Sequence, residues 1–195
     1  YNEQIKDCTR CQLYKSATNL VFGEGSETAD LMFIGEAPGR NEDQQGRPFV
    51  GAAGQLLNDL LKEIGLKRED VYIGNIIKHR PPNNRDPQPD EIEACKPYLM
   101  KQIELIKPKI IATLGAHATR TMLEDKVSIG QVHGQIFENK KGLTIIPIYH
   151  PAAVLYNRSM FDVLKKDFAS LKALLDKSKA EQPKGADKYD QGALF

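Results

Sequence analysis

The fold of this chain is constrained most by an alternation of short apolar segments with helical ones. Apolar runs of strand length occur at 30–34, 71–77, 109–114 and 143–149, with a shorter one at 135–137. Apolar residues at helical spacing occur at 55–64, 116–124 and 161–177, and a further helix is predicted to begin at Asp90 as its N-cap. Strands that alternate with helices predict an α/β fold, a three-layer α/β/α sandwich with a mostly parallel central sheet.

Unusual loops follow three of these strands. Gly35–Gly39 follows the first strand, Asn75–Arg80 ends the second, and His150-Pro151 follows the last. In parallel sheets, ligands bind beyond the carboxyl ends of the strands. The three loops therefore predict one active site.

The chain of 195 residues fits one domain, which we expect over 1–177, with a flexible tail at 178–195. No apolar run is long enough to cross a bilayer, and the first residues lack a signal-peptide core. We therefore expect a cytoplasmic protein that does not bind membranes. A net charge of +1 neither supports nor excludes DNA binding.

Three cysteines in a chain without an export signal argue against a disulfide framework. Cys8 and Cys11 form a Cys-x-x-Cys pair, and Cys95 lies on a predicted helix. A tetrahedral metal needs a fourth ligand, for which His79 is the candidate. Zinc and an iron–sulfur cluster both fit these ligands, and His79 could instead bind backbone or phosphate.

Five short motifs occur together in this chain. They are Gly35-Glu-Ala-Pro-Gly39, Arg47-Pro-Phe-Val-Gly51, Asn75-Ile-Ile-Lys78, Arg80-Pro-Pro82 and His150-Pro-Ala-Ala153. With Cys8-x-x-Cys11 they resemble the family 4 uracil-DNA glycosylases, iron–sulfur enzymes of archaea and thermophilic bacteria. The resemblance implies a uracil-DNA glycosylase-like fold and a structural [4Fe–4S] cluster. The chain departs from the family at His79, which stands where a third cysteine is expected.

The resemblance also implies a pocket for an extruded uracil, which needs an aromatic face, an amide and a donor to the leaving base. Phe49 would stack on the base, or else pack in the core. The amide of Asn75 would donate to O4 and accept from N3–H, or else fix its loop. His150 would be catalytic by donating to O2, or else hold the turn before Pro151.

The loop after the first strand, Gly35, Glu36 and Ala37, would bring backbone amides close to uracil. Related uracil glycosylases carry a water-activating Asp where this chain has Ala37. Glu36 is therefore the first candidate for a catalytic carboxylate that holds water, followed by Glu42 and Asp43.

DNA contacts are predicted in two groups. A wedge that fills the vacated stack would come from Leu155, Tyr156 and Arg158, which could equally begin the closing helix. Phosphate contacts would come from Lys78, Arg80 and Arg85, with backbone amides near Gly51–Gly54.

The terminal segment Gln191-Gly-Ala-Leu-Phe195 resembles peptides that dock on sliding clamps, although a frayed terminus would look similar. The predicted function is excision of uracil from DNA by a monofunctional glycosylase. Two alternatives are a non-enzymatic iron–sulfur or zinc module that binds nucleic acid, and a glycosylase of the same superfamily with another base preference.

Overall fold

A computed structural model describes residues 1–180. Its centre is one six-stranded sheet in the order β1-β3-β2-β4-β6-β5. The strands are Glu24–Gly25 (β1), Leu31–Gly35 (β2), Tyr72–Asn75 (β3), Ile110–Leu114 (β4), Phe137–Glu138 (β5) and Thr144–Ile148 (β6). The four inner strands are parallel, and the short edge strands β1 and β5 are antiparallel to their neighbours. The predicted mostly parallel sheet is confirmed.

Eight α-helices connect the strands of this part of the chain. They are Asn2–Ile5 (α1), Arg40–Gln45 (α2), Ala52–Glu63 (α3), Pro89–Ile106 (α4), Ala116–Leu123 (α5), Ile129–Val132 (α6), Ala152–Tyr156 (α7) and Met160–Ala180 (α8). Short 3₁₀ helices occur at Gln12–Lys15, Arg68–Asp70 and Pro82–Asn84. None of the helices described is both long and apolar enough to cross a membrane.

Helices cover both faces of the sheet, as the side chains of β2 show. Leu31 and Phe33 pack into one core with α3 and α8, and the ring of Phe33 stacks on Phe168 with centroids 5.8 Å apart. Met32 and Ile34 point to the opposite core, formed with α4 and α5. Because successive strand residues face opposite sides, an entirely apolar strand requires two covered faces, which explains the three layers.

The element boundaries differ from the sequence prediction at three places. Helix α4 begins at Pro89, two residues earlier than an N-cap at Asp90 predicts, because Gln88 is the N-cap and forms a capping box with Glu91. The segment between the first predicted strand and the helix predicted at 55–64 contains α2 and the first three residues of α3. Helix α8 continues to Ala180 because no Gly or Pro interrupts residues 178–180. The predicted clamp-binding segment, 191–195, lies outside the described residues.

Candidate active site

The loop that follows strand β2 forms one wall of a cavity of about 500 Å³ beyond the carboxyl ends of the inner strands. Gly35 pairs with Asn75 across β2 and β3. A Cβ atom at Gly35 would lie 2.5 Å from Asn75 Oδ1 and 2.6 Å from Phe49 Cζ. Only glycine therefore allows the amide of Asn75 and the ring of Phe49 to lie this close to the strand.

Phe49 lines the cavity in an unusual backbone conformation. Its φ is 50°, and its side chain is 6% exposed. Arg68 stabilises this conformation by donating to the carbonyls of Phe49, at 3.1 Å, and of Pro48. Glu24 accepts in turn from Arg68, so the edge strand β1 fixes the Phe49 loop. A left-handed, non-glycine residue at a cavity wall indicates a conformation that the surrounding contacts impose.

Asn75 is the last residue of β3, and its side chain is 2% exposed. Its Oδ1 has no hydrogen-bond partner among residues 1–180. Leaving a buried acceptor unpaired costs about 1–3 kcal/mol. The cavity therefore presents a fixed acceptor that suits a ligand with an N–H group.

His150 follows β6 and lies across the cavity from β3. Its ring stacks on Phe49 with centroids 5.5 Å apart and an interplanar angle of 29°. The Nδ1 atom accepts a hydrogen bond of 3.1 Å from the amide of Ala152, and burial lowers the pKa of His150 to about 4. The imidazole is thus neutral near pH 7 with its proton on Nε2, which makes Nε2 a donor.

Glu36 lines the cavity beside His117 of α5 and Asp86. One ligand atom from each of these three side chains lies within 4.8 Å of the others, and Nε2 of His117 is 3.3 Å from Asp86 Oδ2. Burial raises the pKa of Glu36, and proximity to His117 opposes this shift. The carboxyl group of Glu36 therefore takes up a proton more readily than an exposed carboxylate does.

The two further carboxylates considered for water activation have structural partners. Glu42 Oε1 accepts from the amides of Val50 and Gly51 at 2.9 and 2.8 Å, which closes the loop around α2. Asp43 is 3% exposed and accepts from the amide of Thr18 at 2.8 Å. Since the amide of Gly51 is used in this way, it is not free for the predicted phosphate contact.

The three side chains predicted to contact phosphates differ in their exposure to solvent. Lys78 is 1% exposed, and burial lowers its pKa to about 8. A buried ammonium cannot reach a DNA phosphate, so the structure contradicts the prediction for Lys78. Arg80 is partly exposed and donates to Asn84 Oδ1 at 2.7 Å. Arg85 lines the cavity and forms two hydrogen bonds with Glu91, of 2.9 and 2.6 Å.

The predicted wedge residues lie on the surface next to the cavity. Leu155 and Tyr156 belong to the short helix α7, and their side chains are 55% and 91% exposed. Arg158 follows α7 and is also exposed. These residues are therefore not the first turn of the closing helix α8. Leu155 lines the cavity rim, so a chain that entered the cavity would pass this surface.

The three thiols lie together near the first turns of α4. Cys8 donates to the hydroxyl of Tyr98 at 3.4 Å, and Cys95 Sγ accepts from the amide of Lys78 at 3.3 Å. Burial raises the pKa of Cys95 to about 11, with Cys11 and Cys8 adding to the shift. No three of these thiols and the His79 ring nitrogens fall within 4.8 Å of one another among the described residues. A single zinc ion would need ligand atoms closer than that, at about 4 Å.

A cluster with several irons requires ligand atoms that lie further apart than those of a single ion, because each ligand binds a different iron. His79 is 7% exposed and follows Lys78, whose amide contacts Cys95. Burial lowers the pKa of His79, which keeps its imidazole neutral, as a metal ligand must be. Three thiols and a neutral imidazole are donors that suit an iron–sulfur cluster, and His79 adjoins Lys78, whose amide contacts Cys95.

Residues 22–177 match the family model of the uracil DNA glycosylase superfamily. The chain belongs to this superfamily, as the sheet and the strand-end cavity also indicate. Within it, the chain belongs with the type-4 enzymes. It is 52% identical over 181 residues to the Type-4 uracil-DNA glycosylase of Saccharolobus solfataricus, an alignment that covers 89% of this chain and 84% of the relative. The Type-4 uracil-DNA glycosylase of Archaeoglobus fulgidus is 46% identical, over 89% of this chain and 91% of the relative. That of Thermotoga maritima is 45% identical, over 90% of this chain and 93% of the relative.

Sequence reasoning missed several residues that shape the site. His117 and Asp86, beside Glu36, come from elements distant in the chain. Arg68 and Glu24 fix the Phe49 loop, although Glu24 lies on a strand of two residues that gives no periodic signal. A charged residue isolated in sequence gives no sign of its partner, so only the folded chain identifies these pairs.

Proposed function

We infer that this chain is a monofunctional uracil-DNA glycosylase, which hydrolyses the bond between C1′ of deoxyribose and N1 of uracil and leaves an abasic site. One observation carries this inference. The side chains of Phe49, Asn75 and His150 line a single cavity beyond the carboxyl ends of parallel strands. An aromatic face, an amide and a neutral donor are the groups that a pocket for an extruded pyrimidine requires.

Asn75 reads the base. The unpartnered Oδ1 of Asn75 accepts from N3–H of uracil, and the amide nitrogen donates to O4. Cytosine has no hydrogen on N3 and carries a donor at the 4-position, so the same amide orientation rejects it. Phe49 stacks on the base, and its left-handed backbone keeps the ring beside Gly35.

His150 stabilises the leaving group. When the C1′–N1 bond breaks, its electron pair stays on the base, and negative charge develops on O2. The Nε2–H of neutral His150 donates to O2, because Nδ1 accepts from the amide of Ala152. Donation to a developing anion is typically the largest single catalytic effect.

Glu36 positions the water that completes hydrolysis. Cleavage leaves an oxocarbenium sugar, water adds to C1′, and Glu36 accepts the proton that the water loses. Ala37 carries no carboxylate, so we assign this function to Glu36, and its location at the cavity beside His117 and Asp86 supports the assignment. The uracil anion then takes up a proton and dissociates.

DNA binding involves the rim of the cavity. Leu155 and Tyr156 fill the gap that the extruded nucleotide leaves, since both are exposed apolar side chains on α7. Arg158, Arg80 and Arg85 are placed to contact phosphates. We propose uracil-containing DNA as the substrate of an intracellular, nucleoid-associated monomer. Clamp docking through 191–195 stays a prediction, and equal retention on clamp resin with and without these residues would end it.

A structural [4Fe–4S] cluster completes the proposal. Cys8, Cys11 and Cys95 would hold it, with His79 as the fourth ligand. The cluster supplies local cross-linking of the N-terminal segment to α4 and no electron transfer, because hydrolysis of an N-glycosidic bond is not a redox reaction. The assignment is tested by the colour and metal content of the purified protein. A brown colour, absorbance near 400 nm and iron instead of zinc would support it.

The test is base release by the purified protein from an oligonucleotide with one uracil, detected as strand scission after alkali. We expect scission at uracil, and none at cytosine in the same sequence. Substrates with thymine, hypoxanthine or xanthine opposite guanine test for another base preference. No scission at any base would favour a non-enzymatic module, and unchanged uracil release by Asn75→Ala and His150→Ala would disprove the site assignment.

A further inference from the structure

Lys78 is a buried lysine without a carboxylate partner. Its side chain is 1% exposed, and within residues 1–180 it forms no ion pair with Asp or Glu. A buried ammonium is costly unless hydrogen bonds and a counter-charge compensate for its lost hydration. On the side of the thiols, Lys78 contacts Cys95, whose Sγ accepts from the Lys78 backbone amide.

Lys78 contacts both functional sites of the molecule. Its Nζ donates a hydrogen bond of 2.9 Å to the backbone carbonyl of Asn75. Its backbone amide donates to Cys95 Sγ at 3.3 Å, and its carbonyl accepts from the amide of Val21 at 2.8 Å. One residue therefore lies between the cavity and the thiols, held at both ends.

The carbonyl of Asn75 needs this donor because the sheet provides none. The amide of Ile76 donates to Gly35 of β2, so the preceding carbonyl faces the opposite side, toward β1. Strand β1 pairs with Tyr72 and Ile73 and ends there. The ammonium of Lys78 thus donates to the Asn75 carbonyl in place of a backbone amide from a neighbouring strand. Asn75 is the residue whose side chain faces the base in the proposed function.

We propose that Lys78 is a positioning residue that holds Asn75 in its base-reading orientation and links that orientation to the cluster site. The proposal rests on the proposed function, since it concerns how uracil is read. A thiolate-ligated iron–sulfur cluster has a net negative charge, which supplies the counter-charge that the Asp and Glu residues of the described chain do not. Binding of the cluster and the hydrogen bond from Lys78 to Asn75 would then stabilise each other.

The experiment compares wild-type holoenzyme with three variants. Lys78→Met removes the ammonium at similar volume, Lys78→Gln keeps a neutral donor on a shorter stem, and Lys101→Met makes the same change at an exposed position of α4. Iron per chain and absorbance near 400 nm establish cluster content. Affinity for free uracil, affinity for abasic-site DNA and single-turnover cleavage are then measured.

We expect Lys78→Met to bind free uracil about tenfold more weakly and to cleave about 100-fold more slowly, because the reading amide is displaced. Its affinity for abasic-site DNA should stay unchanged, whereas general damage to the fold would weaken both. Lys78→Gln should recover part of the uracil affinity, and Lys101→Met should match wild type. Lys78→Met with full iron content and wild-type uracil affinity overturns the proposal.

If Lys78→Met loses its iron or does not fold, a crystal structure of wild-type holoenzyme with uracil decides the question. Nζ within hydrogen-bonding distance of the Asn75 carbonyl supports the proposal, and a longer separation overturns it. Failure of the proposed function looks different, because wild-type protein would then neither bind uracil nor cleave uracil-containing DNA.

Discussion

Replacement of His150 tests the catalytic assignment most directly, since each ring nitrogen has a separate role. Nδ1 accepts from the amide of Ala152 at 3.1 Å, and Nε2 is left as the donor to the base. Asparagine can place an oxygen near the Nδ1 position but has no donor at the Nε2 position. Glutamine places an amide nitrogen near the Nε2 position and gives up the contact with Ala152. The two variants thus separate the structural contact from the catalytic one.

The expected decrease in rate follows from the loss of the one hydrogen-bond donor that the neutral ring provides. Loss of one fixed donor to a developing oxyanion costs about 3–4 kcal/mol, which slows the reaction about 100- to 1,000-fold. We therefore expect His150→Asn to lose that much in single-turnover rate with little change in melting temperature. His150→Gln should retain more activity than His150→Asn, although it loses the backbone contact.

The pH dependence provides a second measurement on the wild-type protein. Burial lowers the pKa of His150 from 6.5 to about 4, so the ring stays neutral between pH 5 and pH 8. The unfolded chain binds a proton below pH 6.5 that the folded chain binds only near pH 4, so this group's contribution to stability decreases as the pH falls across that range. NMR titration of the ring should show no midpoint near 6.5. A midpoint there, or equal rates for His150→Asn and wild type, would refute the reasoning.

Three further predictions concern the walls of the cavity. Gly35→Ala should reduce single-turnover cleavage at least about 100-fold, because the new Cβ would displace the side-chain amide of Asn75. The control is Gly65→Ala, at a left-handed position with no neighbour within 4 Å, which should lower stability but not activity. Arg68→Met should lower the free energy of unfolding by about 2 kcal/mol and the melting temperature by about 4–8 °C, measured by calorimetry, because the Phe49 loop loses its donors. Tyr156→Ala should slow cleavage of duplex substrate about tenfold and leave single-stranded substrate unaffected; equal losses on both would argue against a wedge.

The central sheet was predictable because its four inner strands are mostly apolar and almost entirely buried. A strand such as 31–35, buried on both faces, has no polar alternation and must lie between two layers of helices. The edge strands were harder to predict, since β1 and β5 each have two residues and too few side chains to show a period. Helix α2 was missed because its six residues are polar and no apolar face marks them.

The position of a side chain at the cavity was predictable where its residue ends or follows a strand, as for Asn75 and His150. The surroundings of a side chain were not predictable where they depend on a residue that is distant in the chain. Lys78 looked like a phosphate ligand because lysines on loops are usually exposed, and its burial follows from packing between β3 and α4. Glu36 appeared as a lone carboxylate, whereas His117 and Asp86 reach it only in the folded chain.

The absence of a side chain at Gly35 limits how the range of bases accepted by this enzyme could change over evolution. Gly35 lies in a central parallel strand, in register with its neighbour, and an added Cβ would strike Asn75 and Phe49, the two residues that we propose hold the base. A lineage that came to accept purines would therefore need to gain room elsewhere. The segment from Pro38 to Glu42, which borders the same cavity outside the sheet, can lengthen or shorten without disturbing strand pairing. We expect changes of substrate range in related enzymes to be found there, with the glycine left in place.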